Sequence, residues 1–136
     1  MSRSITISLP VTDLPLSMAF YEGLGFVANP QFSDDSGAFM RLSEAIQVVL
    51  LTHAKWSEFT DRPIPPRGSS EVAIMISCES RDEVDAMNRW AAEHGGTGDI
   101  NPIQDHGSMY GRDFTDPDGH VWGAMWVDMS AMPGCG

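Results

Sequence analysis

The apolar pattern of this 136-residue chain passes twice through one order, strand, helix and then three strands, and that repeat constrains the fold more than any single motif. The first pass opens with Ile5, Ile7, Leu9 and Val11 alternating with Thr6, Ser8, Pro10 and Thr12, the period-two signature of a half-buried strand. Asp13 is placed to cap a helix whose first turn accepts Pro15, because early helical N–H groups have no intrahelical partner. Leu14, Met18, Tyr21, Phe20 and Leu24 form its apolar face and Gly25 stops it. Short strands are predicted near 26–28, 38–42 and 46–52, with turns at Asp34-Asp35-Ser36-Gly37 and Ser43-Glu44.

The second pass predicts a strand over 71–78 and a capping box in which Ser80 and Glu83 satisfy each other's backbone donors. Val84, Met87, Trp90 and Ala91 follow helical spacing up to Gly95-Gly96, and three strands follow near 98–103, 108–115 and 121–127. Between the passes lies 53–70, with Trp56, Phe59 and the Pro-rich stretch Arg62 to Gly68. Its length suits a connector, a lid or a dimer arm. The expected organisation is a single domain with module one at about 4–52, module two at about 71–127 and a tail at 128–136.

The most specific motif is Asp116-Pro117-Asp118-Gly119-His120, which turns directly into the apolar run from Val121 to Val127. Pro117 fixes φ early in the turn, and Gly119 tolerates the positive φ that closes it. Together with Leu9-Pro10-Val11-Thr12-Asp13-Leu14 and the stretch from Ala19 to Phe26, it resembles the vicinal oxygen chelate superfamily of glyoxalases, bleomycin resistance proteins and extradiol dioxygenases. The resemblance runs from about Ile5 to Val127. It implies an α+β fold of two βαβββ modules forming a cup-shaped mixed sheet, and a homodimer.

The resemblance also supplies a test for metal. Metalloenzymes of that superfamily place a histidine or glutamate on the first and last strand of each module, and the ion chelates two adjacent substrate oxygens. Carried over, these positions fall at Thr6 (Ser8 if the register slips), Leu50, Glu71 and Gly123, of which Glu71 alone is a competent ligand. A catalytic metal needs about three protein side chains. No metal or other cofactor is therefore expected, a divalent ion being the alternative. His53, His94, His106 and His120 show neither i, i+4 nor i, i+2 ligand spacing, although Glu71 with His53 or His120 leaves a displaced site open.

If Gly123 faces the cup, alternation brings Val121 and Met125 with it, and places Glu71 with Ala73, Met75 and Ser77. Such a lining suits an apolar or aromatic small molecule bearing a cationic or hydrogen-bonding group; Met75 and Met125 equally suit plain core. Strand alternation sets Tyr110 and Arg112 opposite Met109, Gly111 and Asp113. Arg112 is a candidate carboxylate or phosphate clamp, or else an ion-pair partner for acids near the turn. Ser8, Leu50, Glu71, Met75, Tyr110, Arg112, Asp113, Gly123 and Met125 are thus the ligand-binding candidates. Trp122 and Trp126 share the face opposite Gly123 and are expected beneath a helix.

Composition narrows the partners. A net charge of −11 argues against nucleic acid and anionic membranes. With 42% hydrophobic and 20% charged residues and no apolar run of roughly 18, the expectation is a soluble cytoplasmic protein. Cys78 closes an apolar run and Cys135 sits in a Pro-Gly-Cys-Gly tail, which gives no disulfide framework and no nucleophile with a base beside it. The expected function is metal-independent binding of a small organic molecule in the cup, for sequestration or sensing. The alternatives are a glyoxalase-type lyase or isomerase, or a dioxygenase, with a displaced metal site around Glu71, and a dimerising scaffold whose cup is filled by side chains.

Overall fold

The computed structural model describes residues 3–131, so Cys135 and the end of the predicted tail lie outside the described residues. The chain divides into two compact units with the boundary between Arg67 and Gly68.

In the first unit β1 (Ile5–Val11) leads into α1 (Leu14–Gly23), then β2 (Val27–Ala28), β3 (Gly37–Arg41) and β4 (Ile46–Thr52). The sheet order is β1-β4-β3-β2, with β1 parallel to β4 and the other pairs antiparallel. Asp13 caps α1 by accepting a hydrogen bond from the Leu16 N–H at 3.1 Å, a contact worth about 1 kcal/mol. Gly25 ends the turn at φ +109°, where a Cβ would be strained. Phe20, Tyr21 and Phe26 pack edge to face in succession, centroids 5.2 and 5.3 Å apart, and form a buried core with Leu9, Val11, Met40, Val48 and Leu50. The 53–70 segment, expected to be a connector, a lid or a dimer arm, begins with a helix, α2 (His53–Phe59). Its N-cap is Thr52, whose hydroxyl accepts from the Lys55 N–H at 3.2 Å.

The second unit repeats the plan. Here β5 (Ala73–Cys78), α3 (Arg81–Glu93), β6 (Gln104–Asp105), β7 (Met109–Thr115) and β8 (Val121–Val127) give the sheet order β5-β8-β7-β6. Again the first strand is parallel to the last. The fold is therefore α+β, two βαβββ modules of identical strand order. Two predicted strands are shortened. The strand expected over 71–78 starts at Ala73 and leaves Glu71 outside it. The strand expected over 98–103 is reduced to a bridge between Thr97 and Thr115, and pairing resumes only at Gln104. The Ser80 hydroxyl accepts from the Glu83 N–H at 3.1 Å, but the Glu83 carboxylate takes the Glu79 N–H rather than that of Ser80.

The Asp116–His120 turn is organised by its first residue. The Asp116 carboxylate is 1% exposed and accepts from the Asp118 and His120 N–H groups, each at 2.9 Å. Gly119 closes the turn at φ +90°. The strand that follows buries Trp122 and Ala124 with Phe114, Ile76 and Val84.

Candidate functional site

In the first sheet the β1–β4 register pairs Thr6 with Gln47, Ser8 with Val49, Leu9 with Leu50 and Pro10 with Leu51. Alternation then sets Thr6, Ser8, Gln47, Val49 and Leu51 on one face and Leu9, Val11, Val48 and Leu50 on the other. Leu50 is fully buried in the core of a sheet against which α1 packs. It does not join Ser8, and it cannot stand for a ligand position beside Thr6. The β4 residues on the Thr6 face are Gln47, opposite Thr6, and Val49 and Leu51, which flank Leu50. Thr6 Oγ1 donates to Gln47 Oε1 at 3.3 Å, so both groups on this face are neutral and joined by a hydrogen bond.

That face carries a cavity of about 360 Å³, lined by Ser8, Val49 and Leu51 from the sheet and by Lys55, Trp56, Phe59 and Thr60 from α2 and its end. It is mainly apolar and has a size suited to a small organic molecule. Of the predicted candidates only Ser8 lines it. The sequence signals for the others were Thr52 as an N-cap and Trp56 and Phe59 three residues apart, closed by Arg62-Pro63.

In the second unit Gly123 pairs with Met75 on one side and Asp113 on the other, and Met125 with Ser77 and Gly111. Met75, Asp113, Gly123 and Met125 therefore share one face. A Cβ at Gly123 would sit 2.5 Å from Met75 Sδ and Cε and 2.7 Å from Asp113 Oδ1, so the Met75 thioether occupies the space a longer residue at 123 would use. Asp113 Oδ2 accepts from Asn101 Nδ2 at 2.9 Å. Glu71, exposed and outside β5, has no strand register that fixes it on this face.

Tyr110 and Arg112 lie on the opposite face, toward α3. Arg112 donates through Nη1 to Asp85 at 2.8 Å and through Nε and Nη2 to Asp99 at 3.0 and 2.6 Å. Tyr110 Oη donates to the same Asp85 oxygen at 2.6 Å. The tyrosine hydroxyl and then Arg112 hold the Asp85 carboxyl below its ordinary range, and Arg112 does the same to Asp99. The cavity beside them, about 420 Å³, thus meets an arginine whose fork is already filled. The partners are Asp85 and Asp99, not the turn carboxylates.

Two histidines and the buried cysteine have structural surroundings. His94 Nδ1 lies 2.9 Å from the Trp90 carbonyl, with its ring stacked on Trp90. His106 Nε2 lies 3.1 Å from Gln104 Oε1. Cys78 is a buried free thiol, pushed up to about 11 by desolvation, and so stays a thiol at neutral pH. Trp126 meets the Arg81 guanidinium, 5.3 Å from its ring centroid.

The residues do not fit a divalent ion. The strand positions offer a mutually bonded Thr6 and Gln47 in one unit and a glycine covered by Met75 in the other, where zinc or manganese needs imidazole or carboxylate. Among the described residues, no three of His, Cys, Asp or Glu come together as a metal-holding group.

The sequence model of the Glyoxalase/Bleomycin resistance protein/Dioxygenase superfamily matches residues 4–123. No curated protein matches the sequence. Among solved structures, the chain is similar to a hypothetical protein, SA1046, of S. aureus, with 26% identity, 93% of this chain and 95% of that chain covered, and a TM-score of 0.77. It is also similar to a glyoxalase/bleomycin resistance protein/dioxygenase family enzyme of Burkholderia phytofirmans, at 14% identity, 93% and 99% coverage and a TM-score of 0.74. The fosfomycin resistance protein FosX of Listeria monocytogenes follows at 18% identity, 96% and 97% coverage and a TM-score of 0.68. The likeness to the last two is one of fold.

Proposed function

The chain belongs to the Glyoxalase/Bleomycin resistance protein/Dioxygenase superfamily, and from that premise we propose that it binds a small organic molecule without using a metal. The observation that carries this reading is the donor set on the sheet faces. Thr6 and Gln47 are neutral and bonded to each other, and Gly123 has no side chain and lies under Met75. One exposed carboxylate at Glu71 cannot hold a transition metal against water. The superfamily hosts several chemistries on one scaffold, so the site rather than the fold must decide between them.

What remains once the ligands are gone is a surface for organic ligands. The first unit contributes an apolar cavity, and the second a face of methionine and glycine beside one carboxylate. Methionine adapts to ligands of irregular shape because its chain is unbranched and its sulfur polarisable. The reading includes the homodimer implied by the sequence resemblance, which sedimentation at twice the chain mass would support.

Elemental analysis of protein purified without chelator or metal-affinity resin tests the proposal. The expected content of zinc, nickel, manganese and iron is far below one atom per chain. Near-stoichiometric metal that is lost in Glu71→Gln would overturn it in favour of a metal-dependent lyase, isomerase or dioxygenase built around that carboxylate.

A further inference from the structure

We propose that the cavity beneath α2 is the ligand seat and that it takes an apolar carboxylic acid, such as an arylalkanoate or a branched-chain acid. The inference rests on the reading of the chain as a small-molecule binder, and adds to it a place and a chemical class.

The first observation is an unused donor. The indole Nε1 of Trp56 is buried and has no hydrogen-bond partner among the described residues. A buried donor left unpaired costs about 1–3 kcal/mol, and buried Trp N–H groups ordinarily find an acceptor. Trp56 also lines the cavity, so a ligand acceptor that a turn of the ring brings onto the buried N–H would remove that cost.

The second observation is the sign of the polar groups around it. An indole N–H donates only, and so does an ammonium. The cavity is lined by Trp56, by Lys55 and by the hydroxyls Ser8 and Thr60, and no carboxylate is among its lining residues. The Thr60 hydroxyl already accepts from the Arg62 N–H at 3.1 Å. Lys55 Nζ sits 3.4 Å from Glu58 Oε1 in an exposed i, i+3 pair, a contact worth at most about 1 kcal/mol and readily exchanged. Its second contact is with the face of Phe59, 5.5 Å from the ring centroid, at the cavity wall. Donors and one cation above Val49, Leu51 and Phe59 select an acceptor, and most strongly an anionic one, on an apolar body.

The charge of the whole protein points the other way. A net charge of −11 favours a cationic ligand at long range. Salt screens that field beyond about 8 Å at physiological ionic strength, whereas Lys55 and the indole act within the cavity. The local groups therefore decide the class, and an acid is favoured over the cation that composition alone suggests.

The test is a titration of ¹⁵N-labelled full-length protein with three probes of one shape: 3-phenylpropionate, 3-phenylpropanamide and 3-phenylpropan-1-amine. The Trp56 indole signal is the one missing from the Trp56→Phe spectrum. The acid is expected to shift that signal saturably. The amide should bind about tenfold more weakly, and the amine should give no saturable shift. Lys55→Gln, which keeps most of the stem, should bring acid and amide to similar affinity, and Trp56→Phe should weaken the acid at least tenfold.

Equal or tighter binding of the amine at Trp56 would overturn the ligand class while leaving the cavity as the seat. A Trp56 signal unmoved by all three probes would overturn the seat itself. Stoichiometric metal in the purified protein would instead sink the broader binding proposal, whatever the Trp56 signal does.

Discussion

Gly96 and Gly123 differ in what a methyl group would meet. At Gly96 a Cβ would lie 2.0 Å from the Thr115 carbonyl oxygen, a backbone atom fixed by the bridge between Thr97 and Thr115. At Gly123 the nearest atoms are side-chain ends: Met75 Sδ and Cε, which can swing into solvent because Met75 is 48% exposed, and Asp113 Oδ1 at 2.7 Å, which a small rotation of its carboxylate relieves. Gly96→Ala should therefore destabilise the protein by about 1–3 kcal/mol, and Gly123→Ala by less than about 1 kcal/mol. Denaturant melts of the two variants against the parent check the contrast. A costly Gly123→Ala would mean that Met75 is held in place rather than lying loosely over the strand. At this scale much was legible in the sequence. The roles of Asp13, Gly25, Ser80 and Gly119 follow from local backbone chemistry that needs no tertiary context. Leu50 was not legible, because an unbroken apolar run such as Val48-Val49-Leu50-Leu51 has no alternation to say which residue faces which way. Register supplied the answer.

Among the elements, α2 and the α3–β7 contact carry what sequence reasoning left open. The helix follows β4 without a loop, and its two aromatic residues were visible only as members of the 53–70 segment, ahead of its Pro-rich stretch. A seven-residue helix is too short to show the period that identifies one. It is held by its Thr52 cap and by packing on β1 and β4. The α3–β7 contact depends on Arg112, whose partners Asp85 and Asp99 stand 27 and 13 residues away in sequence. Such distant pairs leave no sequence signature.

That contact predicts an acid dependence. Asp85 and Asp99 are both held below the range of an unfolded carboxylate, which is about 3.9. Their contribution to stability is therefore complete above about pH 4 and is lost as the pH falls through the lower folded values. The aspartate side chains are 34% and 38% exposed, so solvent screening reduces the network to about 1 kcal/mol. Arg112→Gln should lower the melting temperature at pH 7 by a few degrees, with a gap that closes as the pH falls through the lowered folded values of the two aspartates. A gap that stays constant down to pH 2 would show that the arginine acts through packing alone.

For the molecule as a whole, the repeated strand order β1-β4-β3-β2 and β5-β8-β7-β6 is the strongest link between sequence and fold. It was readable because each module carries its own caps, turns and apolar periods. Among the described residues no helix is long and apolar enough to cross a membrane. The chain belongs to the Glyoxalase/Bleomycin resistance protein/Dioxygenase superfamily, and is proposed to bind a small organic molecule without a metal. The most direct test is a pair of thermal melts on chelator-treated protein, one with zinc, nickel, manganese or iron(II) and one with 3-phenylpropionate. The account predicts no stabilisation by any metal at one equivalent and a concentration-dependent rise in melting temperature with the acid, following mass action. A rise with stoichiometric metal that Glu71→Gln abolishes, together with no response to the acid, would contradict it.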